Sequence, residues 1–597
     1  MKELEYPFNS DYILKKKKKI RRELLEADRQ WLHKRIAVLG GSTTSDVIKI
    51  LDLFLLNQGI QAEFYESEYG MFWEDAVFGN EELDKFHPDL IYVHTTNRNI
   101  KEYPVITSTK EEADTLLEQE YQYFVQVWDN LASRYHCPVI QNNFELPFYR
   151  LLGNREAYDY RGKVNFIQKL NDKFYDYAAT HENFYIQDIL YISSCYGLDK
   201  WADEFYWHMY KYAMAVPAIP ELAYNLSNII KSIWGKNKKA LVLDLDNTLW
   251  GGIVGDDGVD KLEIGQETSN GQVYQSFQKY IKECASIGIM LNVNSKNEYE
   301  NAIAGLNHPE GILRPKDFVL IKANWEPKRK NIMDIANELN ILPDSLVFVD
   351  DNPVEREIVN QLKQNIAVPE IGVPEQYIRI LDHAGYFEVT NLSEDDLHRN
   401  EMYKSNMERA QLQQSFTDYH DYLLSLQMHA EIRAFQSIYY ARIAQLTNKS
   451  NQFNLTTRRY TQNEIEQAAG DKGHITLYGK LADKFGDNGL VSVVIGAVQN
   501  GECHIELWIM SCRVLKRDME FAMMDSLVKN CKEHKVSIIR GYYYPTAKNA
   551  MVRDFYQTMG FEKVSEDAEG NSEWIYVIPE KYVNKNNVIE VNENEQK

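Results

Sequence analysis

The sequence predicts an α/β protein of several domains, and three observations carry that reading. At 597 residues the chain is too long for one hydrophobic core. Hydrophobic residues make up 44%, the level of a folded globular protein. Short apolar runs alternate with helical stretches, the signature of parallel sheets wound with helices. Such runs occur at RIAVLGG, DLIYVH, ALVLDLDN, LNVNSKN, SLVFVDD and LVSVVIGAV.

Taken in order, residues 1–30 read as a helical lead-in. The basic run Lys15 to Lys19, with Arg21 and Arg22, reads as the solvated face of a helix whose apolar side is Ile20, Leu24 and Leu25. RIAVLGGSTTSDV (35–47) is a strand, a Gly-Gly turn and a Ser/Thr-rich helix start, and further strands begin at Ala62 and Asp89. The stretch 120–235 reads as largely helical, its many Tyr and Trp residues serving core packing. The expected division is 1–235 for the first domain and 236–385 for the second. A charged helical connector follows over 386–434, then a returning α/β domain over 435–580 and a polar, frayed tail over 581–597.

The second domain carries the chemistry. Leu241, Val242 and Leu243 form a buried strand that ends in Asp244 and Asp246, followed by Asn247 and Thr248. Side chains alternate along a strand, so the chain must leave extended geometry after Asp244 for both carboxylates to reach one ligand. A second strand ends on Asn294 and Ser295, with Asn297 just beyond. Lys328 opens an amphipathic helix, and a third strand ends in Asp350 and Asp351. The residue types suggest an aspartate nucleophile beside an acid/base aspartate, with Mg²⁺ between phosphate and carboxylates. On the first pair alone, an Asp-rich turn after a strand explains the residues as well. About 26 residues separate Asp246 from the helix near Val273, room for a β-hairpin flap. Between Ser295 and Lys328 there is room for one helix and one strand, so no large cap is expected over the site.

The ordered set Asp-x-Asp-x-Thr, Ser, Lys and Asp-Asp resembles the four motifs of the haloacid dehalogenase (HAD) phosphotransferase superfamily. The wording DLDNTLWGGIVGDDG, NWEPK and FVDDNPVERE, then LTNKSNQFNLTTRRYT, DKFGDNGLVSVVI and MSCRVLKRDME, resembles its FkbH-like branch over residues 237–580. GGSTT, with Ser42 as the serine and Asn97 near the oxyanion asparagine, resembles the nucleophile block of SGNH hydrolases, and NAMVRDFYQTMGF resembles the closing motif of GNAT acyltransferases. Together these imply an SGNH- or flavodoxin-like parallel sheet, a HAD Rossmann-like core with minimal cap, and a GNAT-like mixed sheet.

The resemblance implies roles. Catalysis would fall to Asp244 as nucleophile, Asp246 as acid/base, and Ser295 and Lys328 on phosphate oxygens. Thr248, Asn294 and Asn297 would contact substrate, and Asp244, Asp246, Asp350 and Asp351 would hold Mg²⁺. FkbH-like proteins are associated with moving a glyceryl group from 1,3-bisphosphoglycerate to a thiol and then to an acyl carrier protein, with phosphate lost. Some members carry a cysteine between the two motif aspartates; here that position is Leu245, which leaves Cys512 or the carrier's own thiol as acceptor. The alternative is a stand-alone phosphatase for a sugar phosphate or a phosphorylated macromolecule. The SGNH-like pattern lacks its Asp-x-x-His, since Asp203 and His208 are two residues too far apart, so docking or dimerisation is expected of that domain. Lys516 and Asp518 replace small residues where a GNAT protein binds CoA diphosphate, which leaves a carrier's phosphopantetheine arm as the compatible thiol.

The bulk properties exclude other classes. A formal charge of −22 argues against non-specific nucleic-acid binding. No apolar run reaches the roughly 18 residues of a membrane span, and the opening MKELEYPFNSDY holds no apolar signal core. Six cysteines lie scattered with no CxxC pair, and the expected compartment is the cytoplasm.

Overall fold

In the computed structural model, which describes residues 1–546 and 548–592, the chain forms two compact units, Met1–Ile233 and Trp234–Lys597.

The first unit is built on five parallel strands: β1 (Leu32–Gly40), β2 (Ile60–Glu66), β3 (Leu90–His94), β4 (Val139–Asn142) and β5 (Phe184–Gln187). Their order is β2-β1-β3-β4-β5, the flavodoxin-like order, with the sheet reversing direction between β1 and β3. β4 and β5 lie inside the stretch expected to be helical. Each is only four residues long and ends in Gln or Asn, so neither shows a strand period in the sequence. Trp128, Phe124, Phe144 and Phe174 pack as one aromatic cluster under the sheet. The lysine run lies on helix Ser10–Leu25, which buries Ile13, Ile20 and Leu24. Lys17 and Arg21 pair with Asp46 at 3.0 Å and Asp52 at 2.6 Å on helix Ser45–Asn57, which packs beside it.

The second unit holds two sheets. β6 (Ala240–Leu243), β7 (Met290–Ser295), β8 (Leu320–Ala323) and β9 (Leu346–Val349) are all parallel, in the order β8-β7-β6-β9. The expected hairpin flap is a single antiparallel bridge, Gly251 to Glu263, enclosing two short helical turns. Between Ser295 and Lys328 stand one α-helix (Tyr299–Leu306), a 3-10 turn (Pro315–Asp317) and β8, and among the described residues no cap domain.

The other sheet contains β10 (Met428–Arg433), β11 (Phe453–Asn454), β12 (His474–Asp483), β13 (Gly486–Gln499), β14 (Glu502–Met510), β15 (Ile538–Tyr543), β16 (Glu562–Glu566), β17 (Ser572–Val577) and β18 (Ile589–Asn592). β14 and β15 are parallel yet paired only over Glu502–His504, and β13 bulges against β14 near Ile495. Alternate residues of β14 feed cores on the two faces: Trp508 and Met510 on one side, Leu507 and Ile509 on the other. Two expectations are corrected. The connector is not wholly helical, because its last residues form β10. The tail also contributes β18, which pairs with β10 in parallel from Met428↔Ile589. Its short I-E-V-N alternation is obscured in the sequence by the polar residues around it. The tail residues 593–597 lie outside those described. Among the described residues, no helix is long and apolar enough to cross a membrane.

Candidate active site

Three of the four strands of the parallel sheet in the second unit, β6, β7 and β9, each deliver a polar group at the carboxyl end. β6 is apolar throughout and pairs with both β7 and β9, so Asp244, Ser295 and Asp350 emerge on the same edge. The Asp244 N–H donates to the Val349 carbonyl at 2.9 Å, extending the β6–β9 ladder by one step. The chain then turns sharply: the N–H groups of Thr248 and Leu249 both donate to the Leu245 carbonyl. Asn247 takes a positive φ of 55°, a conformation asparagine tolerates well. The break in extended geometry required by the two aspartates is therefore present.

Lys328 is the centre of the charge arrangement. Its Nζ lies 2.9 Å from Asp244 Oδ2 and 2.5 Å from Asp350 Oδ2, with all three side chains buried. Burial works to lower the lysine's pKa, but the two carboxylates outweigh it and hold the ammonium above its ordinary value. Burial, reinforced by the Asp244 charge, pushes Asp350 up to about 6. Asp351 is raised for the same two reasons. Oxygens of Asp244, Asp350 and Asp351 lie within 4.8 Å of one another. Asp244 Oδ1 is buried with no hydrogen-bond partner among the described residues. A divalent cation fits this set: three hard oxygen donors converge, and one of them is left unsatisfied.

Asp246, expected among the metal ligands, does not join that group. Its Oδ1 accepts from the Trp250 indole at 2.9 Å and the Val254 N–H at 3.1 Å, and its Oδ2 accepts from Asn297 at 2.8 Å. Burial raises its pKa. A carboxyl held by neutral donors and biased towards protonation suits an acid better than a ligand. Three residues expected to touch substrate instead position others. Asn297 holds Asp246. Thr248 is fully buried, and its Oγ1 accepts from the Asp351 N–H at 3.2 Å. Asn294 donates to the Lys328 carbonyl at 2.9 Å and accepts from Asn331 at 3.2 Å, anchoring the start of the lysine's helix.

Sequence reasoning missed Arg356, which donates to the carbonyls of Asp350 and Asp351 at 2.8 and 2.7 Å and so fixes the turn that presents both. Its signal was its place six residues past Asp350, on the first turns of helix Pro353–Asn360. It also missed Tyr377, whose hydroxyl donates to the Asn247 carbonyl from 130 residues away.

Cys512 is corrected outright. It follows β14, with Sγ 3.4 Å from the Tyr403 hydroxyl, and it shares a cavity with Lys239. Lys239 precedes β6 and Asp244 follows it, so the strand's length, roughly 16 Å at about 3.3 Å per residue, lies between them. Thiol and carboxylates stand at opposite edges of one sheet, and Cys512 cannot relay an acyl group from the Asp244 site. In the first unit Ser42 is buried, and its Oγ has no hydrogen-bond partner among the described residues. Asp203 accepts from the Tyr206 N–H as a helix cap, and His208 is an exposed ring 3.5 Å from Glu204. Among the described residues, no aspartate–histidine pair stands behind the serine. In the C-terminal sheet region, Arg517 donates to the Arg513 carbonyl at 2.8 Å and to Asp483 at 3.1 Å, tying down the loop that carries Lys516 and Asp518.

Comparison with known proteins agrees with this assembly. The family model described as FkbH, N-terminal domain, matches residues 35–231. A solved structure of the N-terminal part of BF1531 from Bacteroides fragilis, containing a phosphatase domain complexed with Mg, matches with a TM-score of 0.57 at 26% identity, covering 63% of this chain and 99% of that one. The ribosomal-protein-S18-alanine N-acetyltransferase of Escherichia coli matches at 12% identity over 26% of this chain and 97% of its own, with a TM-score of 0.20. The GNAT resemblance rests on the sequence segment NAMVRDFYQTMGF alone. No curated protein sequence matches the chain. Residues 35–231 thus match the FkbH N-terminal domain, and the chain is similar over 63% of its length to a protein part that contains a phosphatase domain.

Proposed function

We propose that this protein is a Mg²⁺-dependent HAD-type phosphatase whose nucleophile is Asp244. The observation that carries the reading is the convergence of Asp244, Asp350, Asp351 and Lys328 on one sheet edge, with Asp244 Oδ1 unpartnered. Asp244 attacks phosphorus, the bond to the leaving oxygen breaks, and Asp246 gives that oxygen its proton. Asp246, now ionised, takes a proton from the water that hydrolyses the phosphoaspartate. Lys328 holds Asp244 in place and faces the phosphate oxygens. Asp244, Asp350 and Asp351 would hold the Mg²⁺, whose charge offsets that of the phosphoryl group.

The substrate we assign is a phosphorylated three-carbon acyl donor like 1,3-bisphosphoglycerate, with an acyl carrier protein as partner. The carrier's thiolate attacks the acyl phosphate carbonyl, a C–S bond forms, and phosphate leaves with the broken C–O bond; the remaining phosphate ester is hydrolysed at Asp244. Two features support a carried substrate: the FkbH N-terminal domain, and an active edge without a cap domain, which cannot enclose a small metabolite alone. The distance of Cys512 from Asp244 leaves the carrier's own thiol as acceptor. That same distance favours the second reading, a phosphatase for a sugar phosphate or phosphorylated macromolecule.

The test incubates the full chain and Mg²⁺ with acyl phosphates and phosphate esters, with and without a phosphopantetheinylated carrier. Released phosphate and the intact mass of the carrier are recorded. Carrier acylation together with phosphate release supports the transferase. Release from esters with no acylated carrier selects the phosphatase. No release from any compound overturns both.

A further inference from the structure

The cavity that Cys512 shares with Lys239, of about 90 Å³, lies in the second unit at the amino edge of the parallel sheet, bounded by residues before β6, the helices after residue 394 and the end of β14. Five cations line it: Lys239, Arg399, Arg442, Lys449 and Arg513. Only two carboxylates face them. Asp395 is taken by Arg442 at 2.6 Å and Arg513 at 3.1 Å, while Asp396 is shared by Arg399 and Lys449. Lys239 makes no ion pair within 4 Å among the described residues, and Asp344, the carboxylate that attracts it from farther off, is held by Lys548; Arg442 Nε is buried without a hydrogen-bond partner among the described residues. Five positive charges against two negative leave a formal excess of three, inside a chain whose overall charge is −22.

Such an excess is costly. Buried charges are stabilised by partners of opposite sign, and an uncompensated one carries its full desolvation cost. The strain shows at Lys449, whose pKa burial pushes down to about 7, with Arg399 and Arg442 adding to the depression. Guanidinium forks match tetrahedral oxyanions bidentately, and the cavity is of the size of a phosphate head rather than a nucleotide. We propose that this cavity is a binding site for a phosphate-class oxyanion, either free phosphate or the phosphate of a monoester. It is separate from the phosphoryl site, because β6 runs between them, and it does not depend on the function proposed above.

The test is calorimetric titration of the full chain in EDTA, where the metal-free carboxylate edge repels phosphate. Inorganic phosphate and glycerol 3-phosphate are the probes. Saturable binding of either supports the site, and tighter binding of glycerol 3-phosphate assigns it to a monoester. Arg442→Gln and Lys449→Gln should each weaken binding about tenfold, as expected for loss of one charge-assisted contact. Gln452, which lines the cavity and makes no described side-chain hydrogen bond, supplies a second variant. Gln452→Glu adds a carboxylate without removing a pair, and should weaken binding at least as much while leaving near-UV circular dichroism unchanged. No binding up to millimolar phosphate overturns the proposal, as does equal affinity in the wild type and Gln452→Glu.

Discussion

Ser42 and Asp244 occupy equivalent places in two different sheets. Each lies just past the carboxyl end of a parallel strand, where the strand order reverses: β1 against β3, and β6 against β9. Doubly wound sheets bind ligands at such points. At Asp244 the neighbouring segments add a lysine and two more carboxylates. At Ser42, among the described residues, they add no base in hydrogen-bond contact with the hydroxyl. His94, paired in register with Gly40, is buried and shares a hydrogen bond with Tyr92; burial pushes its pKa down to about 4, and neither its Nε2 nor the serine finds a hydrogen-bond partner among the described residues. The topology supplies a position, and only the segments that follow the other strands turn it into a site.

The largest expected effect tests the Asp244 side of this comparison. Asp244→Asn keeps the shape but removes the attacking anion, so phosphate release should fall at least about a thousandfold with an unchanged far-UV spectrum. Turnover near the wild-type rate would mean that phosphoaspartate chemistry is not the mechanism. Chelation comes next: excess EDTA should abolish release and added Mg²⁺ restore it, while full activity in chelator would remove the metal from the account.

A smaller effect concerns the first unit, where Glu145 is buried behind the strand ends and raised by burial to about 7. A carboxyl raised in the folded state keeps its proton there longer than in the unfolded chain. Its contribution is therefore present below about pH 4.5 and is lost as pH rises through 7. Glu145→Gln should be close to neutral at pH 4.5 and stabilising at pH 8, by at most about 3 kcal/mol. Thermal unfolding across that range checks it, and a pH-independent difference would refute the assignment.

Cys512→Ala should leave phosphate release within about twofold, since the thiol is at the other edge of the sheet. A loss as deep as that of Asp244→Asn would place Cys512 in the active site after all. The smallest effect is expected at Ser42. Its hydroxyl makes no described hydrogen bond, so Ser42→Ala should be neutral or slightly stabilising and should leave phosphate and ester turnover unchanged. A burst of ester hydrolysis that depends on Ser42 would erase the contrast drawn above.

The sequence by itself determined the order and type of the reactive groups. Asp244, Ser295, Lys328 and Asp350 were legible because each belongs to a local pattern, an apolar strand or a helix start with a polar residue at its end. The parallel sheets were legible for the same reason, through strands and helices alternating along the chain. Only the tertiary structure decided which of these groups meet. Asp246 is drawn away from the metal group partly by Asn297, 51 residues on, and Cys512 is seated beside Tyr403, 109 residues back, at the edge of the sheet away from Asp244. The strands β4, β5 and β18 are too short or too polar to show a period, and exist because a neighbouring strand supplies their hydrogen bonds. Local propensity can place a side chain on an element, but the partner that orients it comes from elsewhere in the chain, and no local pattern records that distance.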